Sequence, residues 1–80
     1  MTRRRVRFTF PEQLITEPVI YELGHRFQVV TNIRMADVDE HIGWVVLEID
    51  GDDADIERSL AWAQSRGVRV DPVTGDVMEG

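Results

Sequence analysis

Apolar and polar positions alternate cleanly from Arg5 to Phe10. Val6, Phe8 and Phe10 share one face; Arg5, Arg7 and Thr9 share the other. A period of two is the mark of a half-buried strand. Pro11 ends it, because proline cannot donate to a ladder. Pro18 is expected to open a helix, capped by Thr16 or Glu17, since its fixed φ suits the first turn. Val19, Ile20, Leu23 and Phe27 make the apolar stripe, with Glu22, His25 and Arg26 on the far side or its margin. Gly24 weakens such a helix by roughly 1 kcal/mol relative to Ala, so close packing there is expected to compensate. Gln28–Met35 predicts a second strand, with Val29, Thr31 and Ile33 on one face and Val30, Asn32 and Arg34 on the other. Ala36–His41, carrying Asp37, Asp39 and Glu40, is expected to turn.

Gly43 starts a third strand, in which Val45, Leu47 and Ile49 oppose Trp44, Val46 and Glu48. The run Asp50-Gly51-Asp52-Asp53 stops it and starts a helix, since carboxylates suit the positive end of the helix dipole. That helix is expected over Ala54–Arg66. Ile56, Leu60 and Ala63 form its stripe, Trp62 lies off the stripe's centre, and Gly67 is the C-cap. Val68–Val70 is a fourth strand ended by Asp71-Pro72, and the tail from Val73 to Gly80 is expected to fray.

The order is strand, helix, strand, strand, helix, strand. Right-handed crossovers and one layer of helices give a ferredoxin-like α+β sandwich. It has a four-stranded antiparallel sheet in the order 4-1-3-2, strand two at an edge and both helices on one face. The core face is expected to take Val6, Phe8, Phe10, Val29, Ile33, Val45, Leu47, Ile49, Val68 and Val70. Val30, Asn32, Trp44 and Val46 are expected to cluster on the open face. An exposed Trp beside two Val residues is more apolar surface than a monomer usually leaves bare in one place. Val30, Trp44 and Val46 are therefore interface candidates. Asn32, whose carboxamide carries two donors and an acceptor, would supply directed hydrogen bonds there.

Eighty residues make one domain, 1–80, with an ordered core of about 4–73, and 42% hydrophobic content permits only a modest core. Burying one large aliphatic side chain is worth roughly 1.5–3 kcal/mol, so dimerisation would be a natural supplement. The formal net charge of -6 disfavours nucleic-acid binding through the whole surface. Every cation is an Arg, and Arg3, Arg4, Arg5 and Arg7 crowd the start. That cluster is either an anion contact, a solvated terminus, or a guard against edge-to-edge pairing. There is no Cys, hence no disulfide, thiolate metal site or Cys nucleophile. No apolar run approaches the roughly 20 residues of a membrane span, and no apolar h-region follows the basic start. A cytoplasmic setting is expected.

His25 and His41 have no spaced partners for a metal, and Ser59 and Ser65 have no nucleophile elbow. No Gly-rich phosphate loop is present. Asp50, Asp52, Asp53 and Asp55 lack the spacing of a calcium loop. No enzyme activity, cofactor or metal is expected.

With its elements placed, the chain resembles the NIL domain family from about Val6 to Val73. The likeness rests on Val6-Arg7-Phe8-Thr9-Phe10-Pro11, Glu17-Pro18-Val19-Ile20, Asn32-Ile33, Gly43 with Val45-Val46-Leu47-Glu48 and Gly51, and Ile56, Leu60, Trp62, Gly67-Val68 and Val70. That family is best known as the C-terminal regulatory domain of methionine-import ABC transporter ATPases, and it also occurs alone or fused to ferredoxin modules. The resemblance implies a ferredoxin-like, ACT-like fold, a homodimer and a link to sulfur amino acids. It puts the signature Asn at Asn32, with Ile33 as its core-facing neighbour. Arg34 stands where the signature has Leu, and its guanidinium suits a carboxylate. The segment between Arg34 and Gly43 is shorter than the family norm. Two functions follow as expectations. One is a non-catalytic sensor of methionine or a related amino acid, using Asn32, Ile33 and Arg34 at a dimer interface. The other is an adaptor for an enzyme or carrier of sulfur amino-acid metabolism, with no small-molecule ligand.

Overall fold

The first strand starts earlier than the apolar pattern does. In the computed structural model, which describes residues 2–73, β1 runs Thr2–Phe10 and takes the arginine cluster into the sheet. A 3-10 turn follows at Glu12–Leu14, then α1 (Val19–Arg26), β2 (Val29–Val38), β3 (Gly43–Gly51), α2 (Asp53–Ser65) and β4 (Arg69–Pro72). The strands lie in the order β2-β3-β1-β4, and each neighbouring pair is antiparallel. This is the ferredoxin-like arrangement that the element order predicts.

β1 pairs with β3 along its whole length, from Thr2 to Phe10, so its arginines are not a loose terminus. Arg3 and Arg5 meet carboxylates across the strand pair. Arg3 grips Asp50 through Nε at 2.8 Å and Nη2 at 3.2 Å, and Arg5 Nη2 donates to Glu48 at 2.5 Å. Arg4 turns to the other side and pairs with Glu57 and Asp53 of α2.

The core sits between that side of the sheet and the two helices. Phe8, Leu47, Ile49, Leu23 and Ile56 are fully buried there, and Phe8 and Phe10 meet edge to face at 6.1 Å. Pro18 occupies the α1 cap position, but neither Thr16 nor Glu17 caps by side chain. Glu22 N–H donates instead to the Pro18 carbonyl at 2.9 Å. Gly24 faces solvent, and a Cβ there would meet only the Val29 carbonyl at 3.9 Å, an ordinary contact. No tight packing explains this glycine. In α2, Ser59 is buried in the stripe and donates to the Ile56 carbonyl at 2.7 Å. Trp62 is half-buried against Phe27, with Arg26 and Arg66 over its ring. Gly67 has φ +106°, and its N–H donates to Gln64 while Val68 N–H reaches Ala63, closing the helix.

The edge strand departs from the expectation. β2 continues through Val38, so the predicted turn shrinks to Asp39–Ile42. There Asp39 Oδ1 accepts the backbone N–H groups of His41 and Ile42 at 2.8 and 2.9 Å. Ile33 pairs with Leu47, but the next partners are Met35 and Val46. Arg34 is the extra residue of a β-bulge. The bulge inverts the alternation: before it the odd positions face the helices, and after it Ala36 and Val38 do. Ile33 does point to the helix layer, as expected, yet it is 55% exposed because neither helix covers that stretch of the edge strand. The expected frayed tail, apart from Val73, lies outside the described residues. Val73 itself donates to the Arg5 carbonyl at 3.1 Å.

Candidate functional site

The open face is built from cross-strand rows. Asn32 of β2 sits opposite Glu48 of β3, which sits opposite Arg5 of β1. The next row brings Met35, Val46 and Arg7 into line. Asn32 is exposed, as its place on this face predicts. Arg34, lifted out of the ladder by the bulge, leans over Glu48 with Nη1 4.0 Å from Oε1. That is longer than a hydrogen bond, and half of the Arg34 side chain remains in solvent.

A hollow of about 140 Å³ lies among Arg5, Arg34, Met35 and Val46. Glu48, whose side chain is only 12% exposed, borders it. The hydrogen bond from Arg5 holds the Glu48 carboxyl below the usual glutamate range; partial burial opposes this, and the charge of Arg34 reinforces it. Arg3 does the same for Asp50. The hollow thus has an engaged ion pair beside it, a second guanidinium above, and two apolar side chains. Val46 is 3% exposed although no helix covers this face. Met35 and Arg7 sit opposite it on the neighbouring strands, and Arg5 lines the same hollow.

Two of the expected interface residues are not neighbours. Val30 sits opposite Asp50, whereas Trp44 sits opposite Asp37 and Thr9. The anticipated Val30–Trp44–Val46 cluster therefore does not form, because register sets Val30 near the opposite end of the strand from Trp44. Trp44 is half-buried under Arg7, whose guanidinium carbon lies 4.6 Å from the ring centroid. The residue that completes the hollow is Met35. Continued alternation would have placed it on the helix side, and no glycine or proline marks the slip.

A second, more apolar hollow of about 240 Å³ lies on the helix side. It runs between α1 and the end of β2, lined by Leu14, Ile15, Val19, Tyr21 and Val38 among others. Among the described residues, no group of three or more His, Cys, Asp or Glu side chains is placed to hold a metal ion. Among them too, no helix is long and apolar enough to cross a membrane.

The family model of the NIL domain matches residues 4–72. The chain belongs to the NIL domain family. No curated protein matches it. Among solved structures, its fold is similar to that of the C-terminal domain of an ABC transporter ATP-binding protein from Enterococcus faecalis. The TM-score is 0.78 at 16% identity, over 91% of this chain and 86% of that one. In this NIL domain the stretch Asn32-Ile33-Arg34 straddles the bulge. Asn32 and Arg34 stand by Glu48 on the open face, and Ile33 turns to the helix side.

Proposed function

We propose that this NIL domain is a non-catalytic regulatory module that binds methionine or a related amino acid beside Asn32 and Arg34, where two copies meet along β2. The observation that carries the reading is the hollow at the bulge, where the half-exposed guanidinium of Arg34 stands beside Met35, with Asn32 on the same face of the sheet. The ligand class is the one the family resemblance implies. A regulatory role is supported by the fold shared with the C-terminal domain of a transporter ATP-binding protein. The pairing is supported by the edge strand. Val30, Ile33, Met35 and Val38 of β2 are all 45–66% exposed, and an edge strand offers backbone groups for another strand. A cytoplasmic setting belongs to the same reading.

A thermal-shift screen against all amino acids, homocysteine and S-adenosylmethionine tests it. A bound ligand stabilises by RT ln(1 + [L]/Kd), so methionine should raise the melting temperature in a dose-dependent way. Asn32→Ala, on an exposed side chain, should abolish the response and leave folding intact. A flat screen overturns the sensor reading. A second reading, an adaptor of sulfur amino-acid metabolism with no small ligand, is favoured by the apolar hollow beside Tyr21 and Val38. It expects the flat screen, together with a protein partner released by Tyr21→Asp.

A further inference from the structure

The helix layer stops short of the β2 edge. Between α1 and the last residues of β2 it leaves the apolar hollow of about 240 Å³, walled by Ile15, Tyr21 and Val38. Tyr21 is 66% exposed and Val38 52%, and Ile33, further along the same face of β2, is 55% exposed. Five residues of strand from Ile33 to Val38 span roughly 15 Å, close to three turns of a helix. The uncovered strip lies in the layer that α1 and α2 occupy, so a further helix laid beside α1 would continue that layer. The charge around the hollow has mostly one sign. Residues 11–21 and 35–45 frame it and carry Glu12, Glu17, Asp37, Asp39 and Glu40 but no arginine or lysine. Asp37 belongs to the open face, opposite Trp44. Of the other four, Glu17 is met at 3.5 Å by Arg66, which also serves Glu22 at 3.0 Å. Glu12 and Glu40 share His41, at 3.5 and 3.8 Å, and one imidazole offsets at most one of them. Asp39 accepts two backbone N–H groups, which leave its charge in place. Among the described residues, Arg66 is the only arginine that pairs with any of these four, so the rim keeps a surplus of negative charge.

We propose that this hollow seats a basic amphipathic helix of a protein partner, with apolar side chains against Ile15, Tyr21 and Val38 and lysines or arginines against Glu12 and Glu40. This rests on the protein-docking reading of the same hollow and adds the chemistry of the partner. Apolar anchors three and four residues apart on a helix fill a groove of this kind. The carboxylate rim attracts a cationic helix and selects against an acidic one. It also opposes an anionic bilayer, which attracts basic surfaces and not acidic ones.

The experiment is isothermal titration of the full chain with a capped synthetic peptide of leucines at helical spacing and lysines elsewhere, with amide NMR spectra to locate the contact. One control peptide has glutamate for lysine, and another has alanine for leucine. The expected result is binding of the Leu/Lys peptide that weakens with salt, with amide shifts gathered at Ile15, Tyr21 and Val38. Glu12→Gln with Glu40→Gln should weaken it about threefold or more at low salt. Asp52→Asn with Asp53→Asn, equal in charge but at the other end of the sheet, should not. Val38→Arg should weaken binding about tenfold or more. Its melt should lie close to the parent's, since half of Val38 is in solvent, and Tyr21→Lys reads the same loss from α1. If the Leu/Glu peptide binds as tightly at the same residues, the docking reading stands and the basic partner falls. If the Ala/Lys peptide binds as tightly, or both double variants weaken binding alike, the contact is charge alone and the proposal falls. If the shifts at Tyr21 and Val38 follow dilution of the chain and not the peptide, a second copy covers the hollow and the proposal falls. If neither peptide nor dilution moves them, the proposal and the docking reading both fall.

Discussion

Asp39, Glu48 and Asp50 each accept hydrogen bonds that favour the ionised carboxylate. For Asp39 the donors are the backbone N–H groups of Ile42 and His41; for Glu48 and Asp50 they are Arg5 and Arg3. Each carboxyl therefore holds its proton less tightly folded than unfolded. The stability these contacts add is complete above the ordinary values of 3.8 and 4.5 and drains away as pH falls through the lower folded-state values. Urea midpoints measured from neutral to strongly acid solution should fall across that window. Asp50→Asn should flatten the fall, because it removes one of the groups that titrates. These pairings are partly legible in sequence. Arginines on β1 and acids on β3 alternate with the core residues, so an antiparallel register brings opposite charges together. Arg34 was different, since its facing partner depended on a bulge that local sequence does not mark.

At the scale of elements, the two glycines of the helical segments have opposite roles. Gly24 lies mid-helix in solvent with room for a Cβ, so Gly24→Ala should stabilise by about 0.5–1 kcal/mol in equilibrium unfolding. Gly67 holds φ +106°, so Gly67→Ala should destabilise by about 1–2 kcal/mol in the same assay. The strand β3 was legible almost residue by residue, and β1 from Arg5 onward, because a central strand with one buried face writes its period into the sequence; the arginine-rich start from Thr2 to Arg4 was not. The second strand was legible only to its bulge. Beyond it Ala36, Asp37 and Val38 look like turn residues, yet pairing with the apolar end of β3 holds them extended. Burial of Val46 was not legible either, since its place on the open face predicts exposure.

For the whole molecule, the layer of helices is narrower than the sheet, which leaves the β2 edge apolar on both faces. Association through that edge should be concentration-dependent in sedimentation velocity. Ile33→Asp, at a side chain that is 55% exposed, should shift the distribution towards monomer and lower the melting temperature measured at high protein concentration, because association stabilises the folded state. An unaltered distribution would place the contact between copies elsewhere. The fold was readable because six elements in this order have few compact arrangements. The open-face position of Asn32 and Arg34 was readable, but that of Met35 was not.

The opposite edge carries a mechanical consequence. The last strand runs antiparallel to the first, and its end at Val73 hydrogen-bonds to Arg5, only a few residues from Thr2. Tension applied between Thr2 and Val73 would load these bonds one after another, like the teeth of a zip, instead of all at once in shear. In an optical trap the domain should therefore open at low force, beginning with β4, while the β1–β3 ladder and the core beneath it stay closed.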